Sequence, residues 1–327
     1  MKVAQLITAT LALGMAAGQA LSAARASEPL VFAAASASAL EGRSHFAMRD
    51  GQRIHIWEKS PAAWAELPAS KRRAVVFVHG GTYSGRPDFD LQVRDYSVMD
   101  AFARDGWASF AVDAQGYGAS DDPLGDNWCR ARDAAKDLHA AIETICALRG
   151  VESVSLLGWS WGVQVAGEYA QAHPERVDKL VLQGGTYRDK FEIPVPGERF
   201  RTSSAEGAAG DFIEGCFEED VVEAYVKACL KHDPASPNGL WFDYMLGSDQ
   251  VLQPAKLPMP TLLILGEHES SPERIADLSA FLAESAATHK RLLILPGGGH
   301  AILLEKPHLL WQREIKRFFG ESWDESH

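Results

Sequence analysis

Ser160 stands at the centre of Gly158-Trp159-Ser160-Trp161-Gly162, after the apolar run Val154-Ser155-Leu156-Leu157 and before the helix-like stretch 163–170. A serine hydroxyl is a poor nucleophile until a base takes its proton. Strand, Gly-x-Ser-x-Gly and helix in succession is the context of a nucleophile elbow, which holds the serine above a sheet at the N-terminus of the next helix. Glycines two before and two after the serine remove Cβ atoms that so tight a turn could not hold. A serine placed this way needs an imidazole to accept its proton and a carboxylate to orient that imidazole. It also needs N–H donors facing the charge that develops on the substrate. The chain offers an imidazole in Gly297-Gly298-Gly299-His300, carboxylates in Gly266-Glu267-His268-Glu269, and Gly-rich backbone in His79-Gly80-Gly81. The chemistry open to such a set is nucleophilic displacement at an acyl carbon.

Each of these groups follows a short apolar run. The runs at 74–78, 107–112, 154–157, 177–182, 261–265 and 292–295 alternate with helical patterns at 98–105, 126–149, 163–170, from Pro272, and from Glu305 to Phe319. Continuous apolar runs of this length suit strands buried on both faces of a parallel sheet, and the alternation predicts a doubly wound α/β fold. Reactive groups then belong at the carboxyl ends of the strands, which is where the serine, the acidic pair and His300 fall. Residues 45–48 and 53–57 alternate polar with apolar about Asp50-Gly51 and read as a hairpin. From Thr186 to Lys256 the rhythm breaks, with Pro194, Pro196, a helical patch at 219–231 and the aromatic cluster Trp241-Phe242-Tyr244. That stretch reads as a mainly helical insertion.

The 327 residues carry 44 acidic and 32 Lys or Arg side chains, a net charge of −12. An acidic surface argues against nucleic acid or an anionic membrane as partner. Residues 1–26 resemble an export signal, with Lys2 before the apolar stretch 6–17 and small-x-small cleavage patterns ending at Ala20 and Ala26. The apolar stretch is shorter than the ~20 residues a membrane span requires. Cleavage after Ala26 would leave a soluble, exported protein that begins with an Ala/Ser-rich lead-in, residues 27–44. Cys129 and Cys146 lie near opposite ends of one predicted helix, about 25 Å apart at 1.5 Å per residue, too far for a disulfide. The spacing leaves free buried thiols or a bridge from that region to Cys216 and Cys229. No Cys/His spacing suggests zinc, and no cofactor motif is present. Oligomeric state carries no sequence signal.

The set of motifs resembles the α/β-hydrolase superfamily over residues 45 to 320. It rests on His79-Gly80-Gly81, Asp113-(x)2-Gly116-Tyr117-Gly118-(x)-Ser120, the elbow, Gly266-Glu267-(x)-Glu269-(x)2-Pro272 and Gly299-His300-(x)4-Glu305-(x)-Pro307. The resemblance implies an eight-stranded, mostly parallel sheet with helices on both faces, formed by 45–185 and 257–327, and a cap at 186–256. It implies Ser160 as nucleophile, His300 as base and Glu269 as acid, at a position where relatives commonly carry aspartate. Asp189 is the rival acid, because some members take theirs from the preceding strand, and Glu267 is a solvated neighbour. Backbone N–H groups of Gly81 and Trp161 would form the oxyanion hole. His79 would be structural, and His308 a surface residue.

A serine at the elbow disfavours the dehalogenase and epoxide hydrolase branches, which use aspartate there. The implied activity is hydrolysis of a small-molecule carboxylic ester, with Trp159, Trp241 and Phe242 lining an apolar pocket. The elbow and the His-Gly-Gly start are also similar to proline iminopeptidases, but those continue with Pro-Gly where this chain has Thr82-Tyr83. Amide and C–C bond hydrolysis use the same residues. A binding module that lost its activity would be expected to lack one of the three, and candidates for all three are present.

Overall fold

The computed structural model describes residues 40–248 and 251–323. The proposed signal 1–26 and most of the lead-in lie outside the described residues. The described residues begin with a hairpin, β1 (Arg43–Arg49) and β2 (Gln52–Lys59), turning at Asp50 and Gly51, both at positive φ. Then follow β3 (Ala74–Val78), α1 (Gly85–Phe89), α2 (Val98–Arg104), β4 (Ala108–Val112), α3 (Ala131–Arg149), β5 (Val154–Trp159), α4 (Gly162–Ala172) and β6 (Val177–Gln183). After the insertion come β9 (Thr261–Gly266), α8 (Pro272–Glu284), β10 (Lys290–Leu295) and α9 (His308–Gly320).

The strands form one eight-stranded sheet in the order β1-β2-β4-β3-β5-β6-β9-β10. β2 runs antiparallel to both its neighbours, and every other pair is parallel. Side chains of successive strand residues point to opposite faces, so the apolar runs fill two cores. Val76, Val78, Leu156 and Leu263 pack with α3, α4 and α8 on one face. Val75, Phe77, Leu157 and Leu262 pack with α2 and α9 on the other. The central strands are aligned at their carboxyl ends: Gly158 pairs with Val78, Trp159 with Gln183, and Gly266 with Leu295. The loops that follow them therefore open onto one rim.

Between β6 and β9 the chain builds α5 (Ala205–Ala209), α6 (Glu219–His232), α7 (Gly239–Leu246) and a two-stranded antiparallel ribbon of β7 (Phe200–Thr202) and β8 (Ala235–Pro237). The ribbon is an addition to the helical insertion expected.

Two helices start later than their patterns suggest. α3 begins at Ala131 rather than 126, because its Arg130 cap makes no side-chain bond and Asp243 of α7 accepts the Ala131 N–H at 2.7 Å instead. α9 begins at His308 rather than 305, because the Glu305 carboxylate turns back to the Gly299 N–H. His308 is buried, stacks on Tyr96 with ring centroids 3.7 Å apart and meets Asp95 at 3.0 Å, so it is a packing residue rather than a surface one. All four cysteines are buried free thiols. No helix of the described residues is long and apolar enough to cross a membrane, and among them no cluster of three His, Cys, Asp or Glu could hold a metal ion.

Candidate active site

Ser160 follows β5 directly and has φ of 56°, a left-handed conformation uncommon for a residue with a side chain. Its neighbours impose that strain. A Cβ on Gly158 would sit 2.2 Å from the Gly162 carbonyl oxygen, and one on Gly162 would sit 2.5 Å from that of Val78. The strand-to-helix turn closes only with glycine at both places, and it leaves the Ser160 hydroxyl facing the rim.

His300 Nε2 lies 3.0 Å from Ser160 Oγ, and His300 Nδ1 lies 2.8 Å from Glu269 Oε2. Glu269 Oε2 also meets Arg274 Nη1 at 3.0 Å, while Oε1 faces the Gly266 N–H at 3.3 Å. Burial pulls the His300 pKa down, but the hydrogen bond and charge of Glu269, with the charge of Asp211, outweigh it and raise the pKa above 6.5. Asp189, the rival acid, is exposed and makes no hydrogen bond to His300. Glu267 is exposed and accepts the Gly297 N–H at 2.8 Å.

The loop bearing His300 is held from several sides. Trp159 Nε1 donates to the His300 carbonyl at 3.0 Å, and Glu305 accepts from Gly299 N. Opposite, His79 is fully buried; its Nδ1 lies 2.7 Å from the Gly80 carbonyl, and its Nε2 accepts the Ala114 N–H at 3.1 Å. Burial lowers the His79 pKa and keeps the ring neutral, as an acceptor at Nε2 requires. Gly81 lies against Trp161, since a Cβ on Gly81 would be 3.3 Å from that of Trp161. The neighbouring Gly80 lies against Ser160 itself, where a Cβ would be 3.6 Å from that of the serine.

Four polar ties fasten the insertion to this rim. Asp243 accepts from Trp161 Nε1 at 3.0 Å, and Arg201 donates to the Gly81 carbonyl at 2.8 Å. Tyr225 donates to Asp88 at 2.9 Å, and Asp88 accepts the Gly80 N–H at 3.0 Å. Asp233 accepts from the backbone N–H and the hydroxyl of Ser84 at 2.9 and 2.7 Å, and from Gly118 N at 2.7 Å.

Between sheet and insertion lies a cavity of about 360 Å³ lined by Ser160, His300, Trp159, Trp241, Tyr244 and Asp211 among others. Phe242, expected in the pocket, is not in its lining; it packs edge-on against Trp128, because Trp241 and Tyr244 occupy the inner face of α7. Trp161 is fully buried beneath the elbow. Sequence reasoning missed three residues here. Arg274 braces Glu269, Tyr244 Oη stands 3.3 Å from Ser160 Oγ, and Asp211 faces the cavity with no hydrogen-bond or ion-pair partner among the described residues. Only Tyr244 left a signal, as a member of the aromatic cluster in the insertion.

A sheet of this order, with a serine elbow after β5, a carboxylate after β9 and a histidine after β10, defines an α/β-hydrolase. Residues 69–307 match the family model described as serine aminopeptidase, S33, and the chain belongs to that family. It is 34% identical over 128 residues to a 2-hydroxy-6-oxononadienedioate/2-hydroxy-6-oxononatrienedioate hydrolase of Paraburkholderia phymatum, covering 39% of this chain and 41% of the relative. It is 32% identical over 131 residues to a proline iminopeptidase of Neisseria gonorrhoeae, covering 40% and 38%. The matched segments thus span about two fifths of each relative's length. An esterase from Exiguobacterium antarcticum superposes with a TM-score of 0.64 at 18% identity, over 85% of this chain and all of that one, a likeness of fold.

Proposed function

We propose that this hydrolase cleaves a small-molecule carboxylic ester through an acyl-enzyme on Ser160. The observation that carries the reading is the hydrogen-bonded chain Ser160–His300–Glu269 opening into a cavity with a largely apolar wall. His300 Nε2 takes the Ser160 proton as Oγ attacks the acyl carbon, and Glu269 steadies the imidazolium. The carbonyl oxygen, now negative, is received by the N–H groups of Gly81 and Trp161, each such donor being worth about 3 kcal/mol. His300 returns the proton to the departing alkoxide. Water then repeats the sequence on the acyl-enzyme. Trp159 and Trp241 shape the wall that meets the substrate. The mature protein works after export, following cleavage at Ala26.

Asp211 favours a second reading. Burial raises its pKa, offset in part by the charge of His300 and reinforced by that of Glu269, and a carboxylate left without a partner in a cavity suits a substrate ammonium group. With the similarity to a proline iminopeptidase, this supports cleavage of an N-terminal residue from a peptide. Parallel turnover of p-nitrophenyl acyl esters and proline p-nitroanilide by wild type and Ser160→Ala decides between them. Ester turnover lost in Ser160→Ala is expected. Anilide turnover exceeding ester turnover would replace the ester reading, and activity retained in Ser160→Ala would remove the acyl-enzyme altogether.

A further inference from the structure

We propose that Tyr244 is a catalytic residue of the second half-reaction: its hydroxyl donates a hydrogen bond to Ser160 Oγ as that oxygen leaves the acyl group. The inference rests on the acyl-enzyme reading above. Its first support is the 3.3 Å separation of Tyr244 Oη and Ser160 Oγ. Proton counting sets the direction of that bond. Glu269 accepts at His300 Nδ1, so Nδ1 carries the proton and Nε2 accepts from the Ser160 O–H. The one proton of Ser160 is then committed, and the Tyr244 O–H is the donor to Oγ. Burial raises the Tyr244 pKa to about 12, so the phenol holds its proton at neutral pH.

A donor fixed on Oγ has unequal consequences for the two half-reactions. During acylation it eases removal of the Ser160 proton but draws electron density from an oxygen that must attack, so the two effects oppose. During deacylation Oγ is the leaving atom. Water attacks the acyl carbon and gives a proton to His300 Nε2. The tetrahedral intermediate then collapses, the C–Oγ bond breaks, its electron pair goes to Oγ, and His300 returns the proton there. Tyr244 keeps its own proton and stabilises the charge gathering on Oγ. The leaving atom of acylation belongs to the substrate, so the same assistance is not aimed at it.

The hydroxyl is held in place before the reaction, which is what makes such a donor effective. The preceding residue, Asp243, is bonded to Trp161 Nε1, to Ala131 N and to Arg130. The Tyr244 carbonyl accepts the Phe191 N–H at 3.1 Å, and its ring packs edge-on against Phe191 and Trp241.

Tyr244→Phe keeps the ring and removes the donor. With a p-nitrophenyl acyl ester in the steady state, acid quench and intact-mass measurement give the fraction of enzyme acylated on Ser160. That fraction is expected to rise in Tyr244→Phe. Steady-state turnover should fall about 10- to 100-fold, below the upper end for one preorganised donor because this bond is long. Single-turnover acylation should stay within about threefold of wild type. Tyr244→Leu guards against a repacking artefact and should show the same rise. An acylated fraction that is unchanged or lower in both variants overturns the proposal, as does an equal loss in acylation and deacylation. Wild-type enzyme that a fluorophosphonate does not label at Ser160 would instead refute the acyl-enzyme reading itself.

Discussion

Replacing Glu269 with glutamine tests how the acid acts. The carboxylate has two inequivalent oxygens: Oε2 receives both His300 Nδ1 and Arg274 Nη1, and Oε1 faces only the Gly266 N–H, at a longer 3.3 Å. In the amide the oxygen will occupy the Oε2 position, because an NH2 there would oppose the Arg274 guanidinium. His300 then keeps its Nδ1 proton and the tautomer that serves Ser160. What is lost is the negative charge beside the imidazolium. Two unit charges about 4 Å apart at an effective dielectric of ~20 interact by about 4 kcal/mol, or about three decades in rate. The amide oxygen still accepts a hydrogen bond and recovers part of this, whereas Arg274, no longer neutralised, opposes the imidazolium more strongly. The expected loss in kcat is therefore about 10²- to 10³-fold, short of the ~10⁴ seen where the amide inverts the tautomer. The assay is kcat and KM on a p-nitrophenyl ester, with Tm as a folding control. Turnover within about threefold of wild type, with Asp189→Asn abolishing it, would refute the assignment of the acid; a loss beyond 10⁴ would refute the role given to Arg274.

The acid limb of kcat/KM should titrate above pH 6.5, because Glu269 and Asp211 outweigh burial at His300 and only the neutral imidazole accepts the Ser160 proton. The same raised pKa adds stability below pH 6.5 that fades as pH rises through the folded-state value, so Tm and activity should move in opposite directions across that window. A limb below 6.5 in a kcat/KM profile would contradict this. Gly162→Ala should lower stability by about 1–3 kcal/mol, because its Cβ meets the backbone oxygens of Val78 and His79 at 2.5 and 2.6 Å, with no flexible side chain to yield. It should also lower kcat, since those residues lead into Gly80-Gly81. An unchanged Tm by calorimetry would count against so tight an elbow.

Much of the sheet was legible because its central strands are buried on both faces and therefore read as unbroken apolar runs, and because strand ends collect the reactive groups. Ser160, Glu269 and His300 each sat beside a glycine-rich turn that local spacing could expose. The β7–β8 ribbon was not legible, since three-residue strands containing Pro237 show no alternation. Nor were the contacts of Tyr244 and Arg274, whose partners lie on other elements and leave no trace in spacing, nor the place of Asp211 in the cavity wall. Trp159 suggested substrate shape from its type alone. Its indole N–H in fact supports the His300 loop, and the residue also lines the cavity. Phe242 failed for a related reason: adjacent helix residues point in different directions, and α7 turns Trp241 and Tyr244 inward.

The position of Asp243 bears on how such enzymes can be recombined. One carboxylate starts α3, grips the indole of Trp161 and fixes the helix that carries Tyr244. The cap is thus no removable module with its own boundary. A chimera that imports a foreign cap loses a helix cap in the core and a brace of the elbow in the same cut, so α7 must be inherited together with β5, the elbow and the start of α3. Diversification of substrate range is freest at residues 192–197, which carry none of those ties and place Ile193 in the cavity wall.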